Sequence, residues 1–219
     1  MTLNFEQARR NMINNQVRPW DVVDMAVLDA LGRVHREDFV ADHLREQAFV
    51  DVMLPLGHGE VMLKPVLEGR ILQALGLGKD DRVLEIGTGS GYLTACMATL
   101  AGHVTSIDIH ADFTDTARAR LARAGIDNVA LDTADAMRDF QPNGRFDAVV
   151  VTGAVPEIPA HFQEWLKPAS RLFVIAGQSP VMTAWLTTTT AQGQRHEQSL
   201  FETDLPYLVH AAPAPAFTL

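Results

Sequence analysis

Apolar residues recur at three- and four-residue spacing through the first fifty positions. Val23, Val27, Ala30, Leu31 and Val34 fall on one stripe, so residues 4–50 read as helical. Pro19 stands near the start of that helix, where its missing N–H costs nothing. The pattern breaks over 49–65, FVDVMLPLGHGEVMLKP, where glycines flank His58 and prolines stand at 55 and 65; this stretch reads as a loop with short extended pieces. A helix is predicted over 66–75, with Leu67, Ile71, Leu72 and Leu75 inward. From residue 81 strands and helices alternate. Strands are expected at 82–86, 103–109, 128–132, 146–151 and 171–176, and helices at 91–101, 111–124 and 159–166. Alternation of this kind predicts an α/β fold, a mostly parallel sheet with helices on both faces. The stretches 181–190 and 196–203, joined by Ala191-Gln192-Gly193-Gln194, predict an antiparallel hairpin at its edge.

Three segments follow from this reading: 1–65, helical and ending in the irregular loop; 66–210, the sheet-bearing core; and 211–219, an Ala/Pro-rich tail.

Composition narrows the function. The chain has 219 residues, 47% apolar and 21% charged, enough to build a core. Eighteen Lys and Arg against 27 Asp and Glu leave a net charge of −9, which speaks against nucleic acid as a partner. No apolar run approaches the ~18 residues that span a bilayer, and the first residues, MTLNFEQARRNMINNQ, hold no apolar leader, so no membrane partner is expected and the cytoplasm is the expected compartment. A single cysteine, Cys96, excludes an intramolecular disulfide and reads as a small buried hydrophobe. Eight histidines lack paired metal-binding spacing, so no metal is expected. Methionines 12, 25, 53, 62, 97, 137 and 182 read mostly as core residues. The oligomeric state is not legible.

The chemistry gathers at Val83-Leu84-Glu85-Ile86-Gly87-Thr88-Gly89-Ser90-Gly91-Tyr92. Glycines after a buried strand allow a tight turn and a close backbone approach, and the helix that follows offers free N–H groups. A Walker loop is excluded, because Gly78-Lys79 is followed by Asp80. A dinucleotide GxGxxG fails as well, with Tyr92 or Thr94 where its last glycine belongs. What stands is E-x-G-x-G-x-G, followed by Asp108 at the end of the next strand, where a carboxylate accepts ribose hydroxyls.

This pattern resembles motif I of the class I S-adenosylmethionine (SAM) dependent methyltransferases, and implies their Rossmann-like sheet with SAM as cofactor. The resemblance assigns cofactor contacts to Gly59, Glu85, Gly87, Thr88, Gly89, Gly91, Tyr92, Asp108, Asp135 and Ala136. Asp135, within Thr133-Ala134-Asp135-Ala136, is the residue implied for the adenine amino group. More of the chain is similar to the protein-L-isoaspartate O-methyltransferases. Val27-Leu28-Asp29-Ala30 through Phe39-Val40, Ala48-Phe49-Val50-Asp51, Leu54-Pro55-Leu56-Gly57 and Leu166-Lys167-Pro168 each resemble a segment of that family. The implied reaction is methylation of a carboxylate of L-isoaspartyl residues in damaged proteins. A different acceptor, a small molecule or another protein group, and non-catalytic SAM binding are the alternatives.

One loop departs from the family. Where the family reads G-x-G-Q-T-I-S-x-P, this chain has Gly57-His58-Gly59-Glu60-Val61-Met62-Leu63-Lys64-Pro65. The glycines and proline stay; the polar Gln, Thr and Ser become Glu60, Val61 and Leu63. Leu63 cannot donate a hydrogen bond and an ionised Glu60 repels a carboxylate, so isoaspartyl turnover is expected to be weak unless Lys64 turns inward. His58 and Glu60 are the candidate bases for a hydroxyl or amine acceptor. His58, Glu60, Leu63 and Lys64 are therefore the expected catalytic group.

Overall fold

The computed structural model describes residues 4–213. The last six residues of the Ala/Pro tail, 214–219, lie outside them.

The N-terminal segment is helical in pieces rather than one run. Helix α1 (Phe5–Met12) starts at Asn4, whose side chain accepts the Gln7 N–H, and passes into a π-helical turn, 13–17. Pro19 lies in a short 3-10 turn, 18–20, and Asp21 takes a left-handed φ of 62°, which ends the helix. Asp24 then caps a new one, α2 (Met25–Arg33), accepting from the N–H groups of Ala26 and Val27. Gln73 holds this turn from outside, accepting from Val23 and Asp24 and donating to Asp21. The expected stripe survives only downstream of the break: Val27, Ala30, Leu31 and Val34 are buried, while Val23 is 71% exposed. Met25, expected in the core, also faces outward, on the first turn of α2.

The irregular loop forms a two-stranded antiparallel hairpin, β1 (Leu54–Gly57) with β2 (Glu60–Met62). Helix α3 (Pro65–Leu75) begins with proline at its first position and ends at Gly76, φ 51°. The main sheet then builds through β3 (Arg82–Ile86), α4 (Tyr92–Leu100), β4 (His103–Asp108), α5 (Ala111–Arg123), β5 (Val129–Thr133), β6 (Phe146–Val155), α6 (Ala160–Glu164), β7 (Leu166–Gln178), β8 (Val181–Thr189) and β9 (Arg195–Thr203). Its order is β5-β4-β3-β6-β7-β8-β9. The first five are parallel, and β8 and β9 run antiparallel. The antiparallel edge thus includes the β7–β8 pairing as well as the expected hairpin. Strands β6 and β7 are longer than their apolar cores suggest, since main-chain pairing continues across irregular register between Val150 and Ala154.

Successive residues of the strands feed opposite faces. Val83, Val104, Ala148, Val150 and Phe173 join the core that also holds Met12, Val17, Leu31, Leu67 and Leu72. Leu84, Ile107, Val149, Val151 and Leu172 join a second core with Phe162 and Trp165. Strand order reverses between β3 and β6, so the carboxyl ends of those strands leave a crevice.

Candidate functional site

The crevice is an open cleft at the carboxyl ends of β3, β4 and β6. Its floor is the glycine turn after β3. The N–H groups of Gly87 and Thr88 both donate to the Ile107 carbonyl, at 2.8 and 3.2 Å. Thr152, within β6, shares its hydroxyl proton between the carbonyls of Ile86 and Gly87, at 2.9 and 2.8 Å. A Cβ at Gly87 would come within 2.2 Å of that hydroxyl, and φ there is 98°, so only glycine fits.

Asp108 is anchored through both oxygens: Gly89 N–H donates to Oδ2 at 2.9 Å and His110 N–H to Oδ1 at 3.0 Å. Burial pushes its pKa up, against those two bonds. Each oxygen keeps a lone pair for a further donor. Glu85 is fully buried. Thr94 and Ser106 both donate to its Oε2, whereas Oε1 has no partner. Burial raises the Glu85 pKa to about 8.

The β1–β2 hairpin walls the cleft through Leu56, Glu60, Val61, Met62 and Leu63. Leu56 reaches within 3.1 Å of where a Cβ on Gly89 would stand. Glu60 faces the same space as Asp108; burial and Asp108 raise its pKa while His110 and His58 lower it, burial being the largest influence. The floor and hairpin sit on a buried ion pair, Arg36 with Glu68. Arg36 also donates to the carbonyls of Ala48 and Leu63, each at 2.7 Å, which fixes the hairpin's exit. Neither the pair nor its role carries a signal in the sequence.

Asp135 and Ala136 line the far end with Ile109, Phe113 and Met137. Asp135 Oδ1 accepts the Met137 N–H at 2.9 Å, and Oδ2 lies 2.7 Å from His210 Nδ1. Pro206, Leu208 and Val209, after the last strand, complete the wall. Sequence reasoning missed that segment, which has no motif; Thr152 was findable as the polar residue that follows the apolar run 148–151.

Several expected site residues stand elsewhere. Gly91 caps α4 with φ 83°, and a Cβ there would meet Ala117 Cβ at 2.9 Å, so it serves the contact of α4 with α5. Tyr92 turns into the core against Phe39 and the Arg36 guanidinium, because the first helical residue after the turn points away from the cleft. Gly59 and Lys64 do not line the cleft; Lys64 precedes α3 as its N-terminal flank. His58, φ 54°, lies outside the cleft and joins Asp112 on α5 at 3.0 Å. Its ring stacks on His110, centroids 4.1 Å apart and planes within 9°. His58, His110 and Asp112 bring their ligand atoms within 4.8 Å of one another. Parallel stacked rings hold their lone pairs in separate planes, however, so the two imidazoles do not converge on one ion. Among the described residues Glu60, Glu68, Glu85, Asp108 and Asp135 line the cleft and no Lys or Arg does.

A comparison with protein families matches residues 7–203 to the model described as protein-L-isoaspartate(D-aspartate) O-methyltransferase (PCMT). The chain belongs to this family. The protein-L-isoaspartate O-methyltransferase 1 of Rhodopseudomonas palustris (strain HaA2) is 36% identical over 197 residues, covering 89% of this chain and 80% of the relative. That of Myxococcus xanthus (strain DK1622) is 38% identical over 156 residues, 71% of this chain and 74% of the relative. In fold, the chain is similar to a Plasmodium falciparum PCMT crystallised with S-adenosyl-L-homocysteine, with TM-score 0.78 and 19% identity, covering 94% of this chain and 99% of that one.

The PCMT family is SAM-dependent, and the cleft can be tested against that cofactor from its own atoms. A carboxylate wall without Lys or Arg suits a ligand bearing sulfonium and ammonium charges. The unpartnered Glu85 Oε1 is a buried polar atom left for a ligand partner, and Asp108 offers one free lone pair on each oxygen to a vicinal diol. The glycine floor admits no Cβ at residue 87. The residues present fit SAM.

Proposed function

We propose that this PCMT-family protein methylates the free carboxylate of L-isoaspartyl residues in proteins and peptides, with SAM as donor, in the cytoplasm. The observation that carries the reading is the pairing of an acid-flanked glycine floor with a hairpin that keeps the family's glycine–proline frame above it. SAM, when bound, supplies an electrophilic methyl group on a sulfonium. The chain has to hold donor and acceptor in line and exclude water. A carboxylate is already ionised near neutral pH, so no base is required. Asp108 and Gly87 to Gly89 fix the donor from below. Leu56, Val61 and Leu63 form the apolar part of the wall from above.

The test is methyl transfer to an isoaspartyl peptide beside its aspartyl isomer. Methylation of the isoaspartyl peptide alone is expected, and slowly, since Glu60 and Leu63 line the cleft and Lys64 does not. Absence of turnover on both, with SAM bound normally, would overturn the acceptor assignment. Asp108→Ala should weaken SAM binding by about 1.5–3 kcal/mol, the scale of a hydrogen bond to a charged group, as read by calorimetry.

Glu60 supports a second reading. A carboxylate facing a cleft that no Lys or Arg lines suits a neutral hydroxyl or amine acceptor, whose proton Glu60 would take as the methyl arrives. A small-molecule acceptor panel, run on the same protein, separates this from the first reading.

A further inference from the structure

The segment following β9 crosses the carboxyl ends of the central strands and is fastened on both sides of the cleft. On one side the fastening is main chain. Ala154 N–H donates to the Pro206 carbonyl at 2.9 Å, and Leu208 N–H returns to the Ala154 carbonyl at 2.8 Å. The Tyr207 hydroxyl donates to the Gly177 carbonyl at 3.0 Å. Leu208 rests on Gly153, where a Cβ would come within 2.7 Å of it. On the other side, the side-chain fastening is His210 to Asp135 at 2.7 Å. His210 holds φ at 69°, a left-handed conformation that a residue with a Cβ rarely takes. Asp135 is 14% exposed and His210 34%, so the bond lies at the mouth of the cleft with its carboxylate end the more sheltered. Beyond it Ala211 tucks into the second core, its N–H on the Leu208 carbonyl.

We propose that His210 is a latch on cofactor exchange: its bond to Asp135 pins the 205–211 strap as a wall of the cleft, and the cofactor passes when that bond opens. The proposal rests on the SAM reading of the cleft. Three observations carry it. The strap supplies cleft lining through Pro206, Leu208 and Val209. Its partner Asp135 itself lines the cleft, so the latch and the ligand space meet at one carboxylate. The left-handed backbone at His210 is kept where the side-chain bond and the seat of Ala211 hold it, the usual sign of a conformation imposed by its surroundings. His210 is a positioning residue here, acting through Asp135 and the strap.

The experiment measures association and dissociation rates of S-adenosylhomocysteine by stopped flow for the wild type, His210→Gly and His210→Asn. Glycine tolerates the left-handed backbone and removes the bond; asparagine tolerates it and keeps a donor for Asp135. His210→Gly should raise both rates by about tenfold, the effect of one charge-assisted hydrogen bond, and His210→Asn should return them most of the way. Hydrogen exchange without cofactor gives an independent reading. The Leu208 and Ala211 amides should lose protection in His210→Gly while those of β3 and β6 keep theirs. Unchanged rates in His210→Gly would overturn the latch. So would a faster dissociation with unchanged association, which marks an affinity contact, or loss of protection throughout the sheet, which marks a purely structural role. Failure of the wild type to bind S-adenosylhomocysteine at all overturns the cofactor reading and the latch together, whereas normal wild-type binding with unmoved variants overturns the latch alone.

Discussion

Glu60 and Leu63 stand where the family places polar side chains, and the structure puts both on the cleft wall. Leu63 is buried and offers no donor, while its carbonyl is taken by Arg36. Glu60 is raised in pKa by burial, so its negative charge is shed at a higher pH than that of a free glutamate. Repulsion of an acceptor carboxylate is therefore greatest on the alkaline side and falls as pH drops through the raised pKa. Glu60→Gln with Leu63→Ser should raise the isoaspartyl rate by about a hundredfold, taking ~1.4 kcal/mol for each repaired contact. Its acid-to-neutral rate profile should also lose the Glu60 inflection. Initial rates from pH 5 to 8 check both. Asp108 was legible from the chain because a carboxylate closing an apolar strand has one place to be. Tyr92 was not, because neighbours in sequence on a helix point about 100° apart, and its ring left the glycine turn for the core.

At the level of elements, the alternating strands and helices were legible almost throughout, since burial of β6 leaves an apolar run, 148–151, that little else produces. The N-terminal segment was legible only as helical. Its breaks come from a left-handed Asp21 and from Gln73, a residue fifty positions away that holds the turn. The ion pair that carries the hairpin is likewise a meeting of distant residues, Arg36 with Glu68. Replacing Arg36 with Met leaves Glu68 buried without a cation, and should cost about 3–5 kcal/mol in folding stability, the usual result of stripping one partner from a buried pair. Arg36→Met combined with Glu68→Leu should recover much of it. Urea denaturation of the two variants tests the contrast: equal losses would show that the cost does not come from stranding the Glu68 charge.

For the molecule as a whole, Glu85 couples stability to pH. Its pKa stands near 4.5 in an unfolded chain and about 8 in the fold. The folded state therefore binds the proton more tightly. Its contribution is fully present below pH 4.5 and fades as pH rises through 8. The slope from this one site approaches 1.4 kcal/mol per pH unit at most. Glu85→Gln should flatten the fall of stability between those limits, and thermal melts at pH 6 and 8 would show whether it does. The same acidic lining bears on turnover. SAM is a cation and its spent form is not, so the acids of the cleft that stay ionised, unopposed by Lys or Arg, would hold what arrives more firmly than what remains. Product departure should then be favoured by the loss of charge that accompanies each methyl transfer, and added salt should narrow the difference in hold between the two.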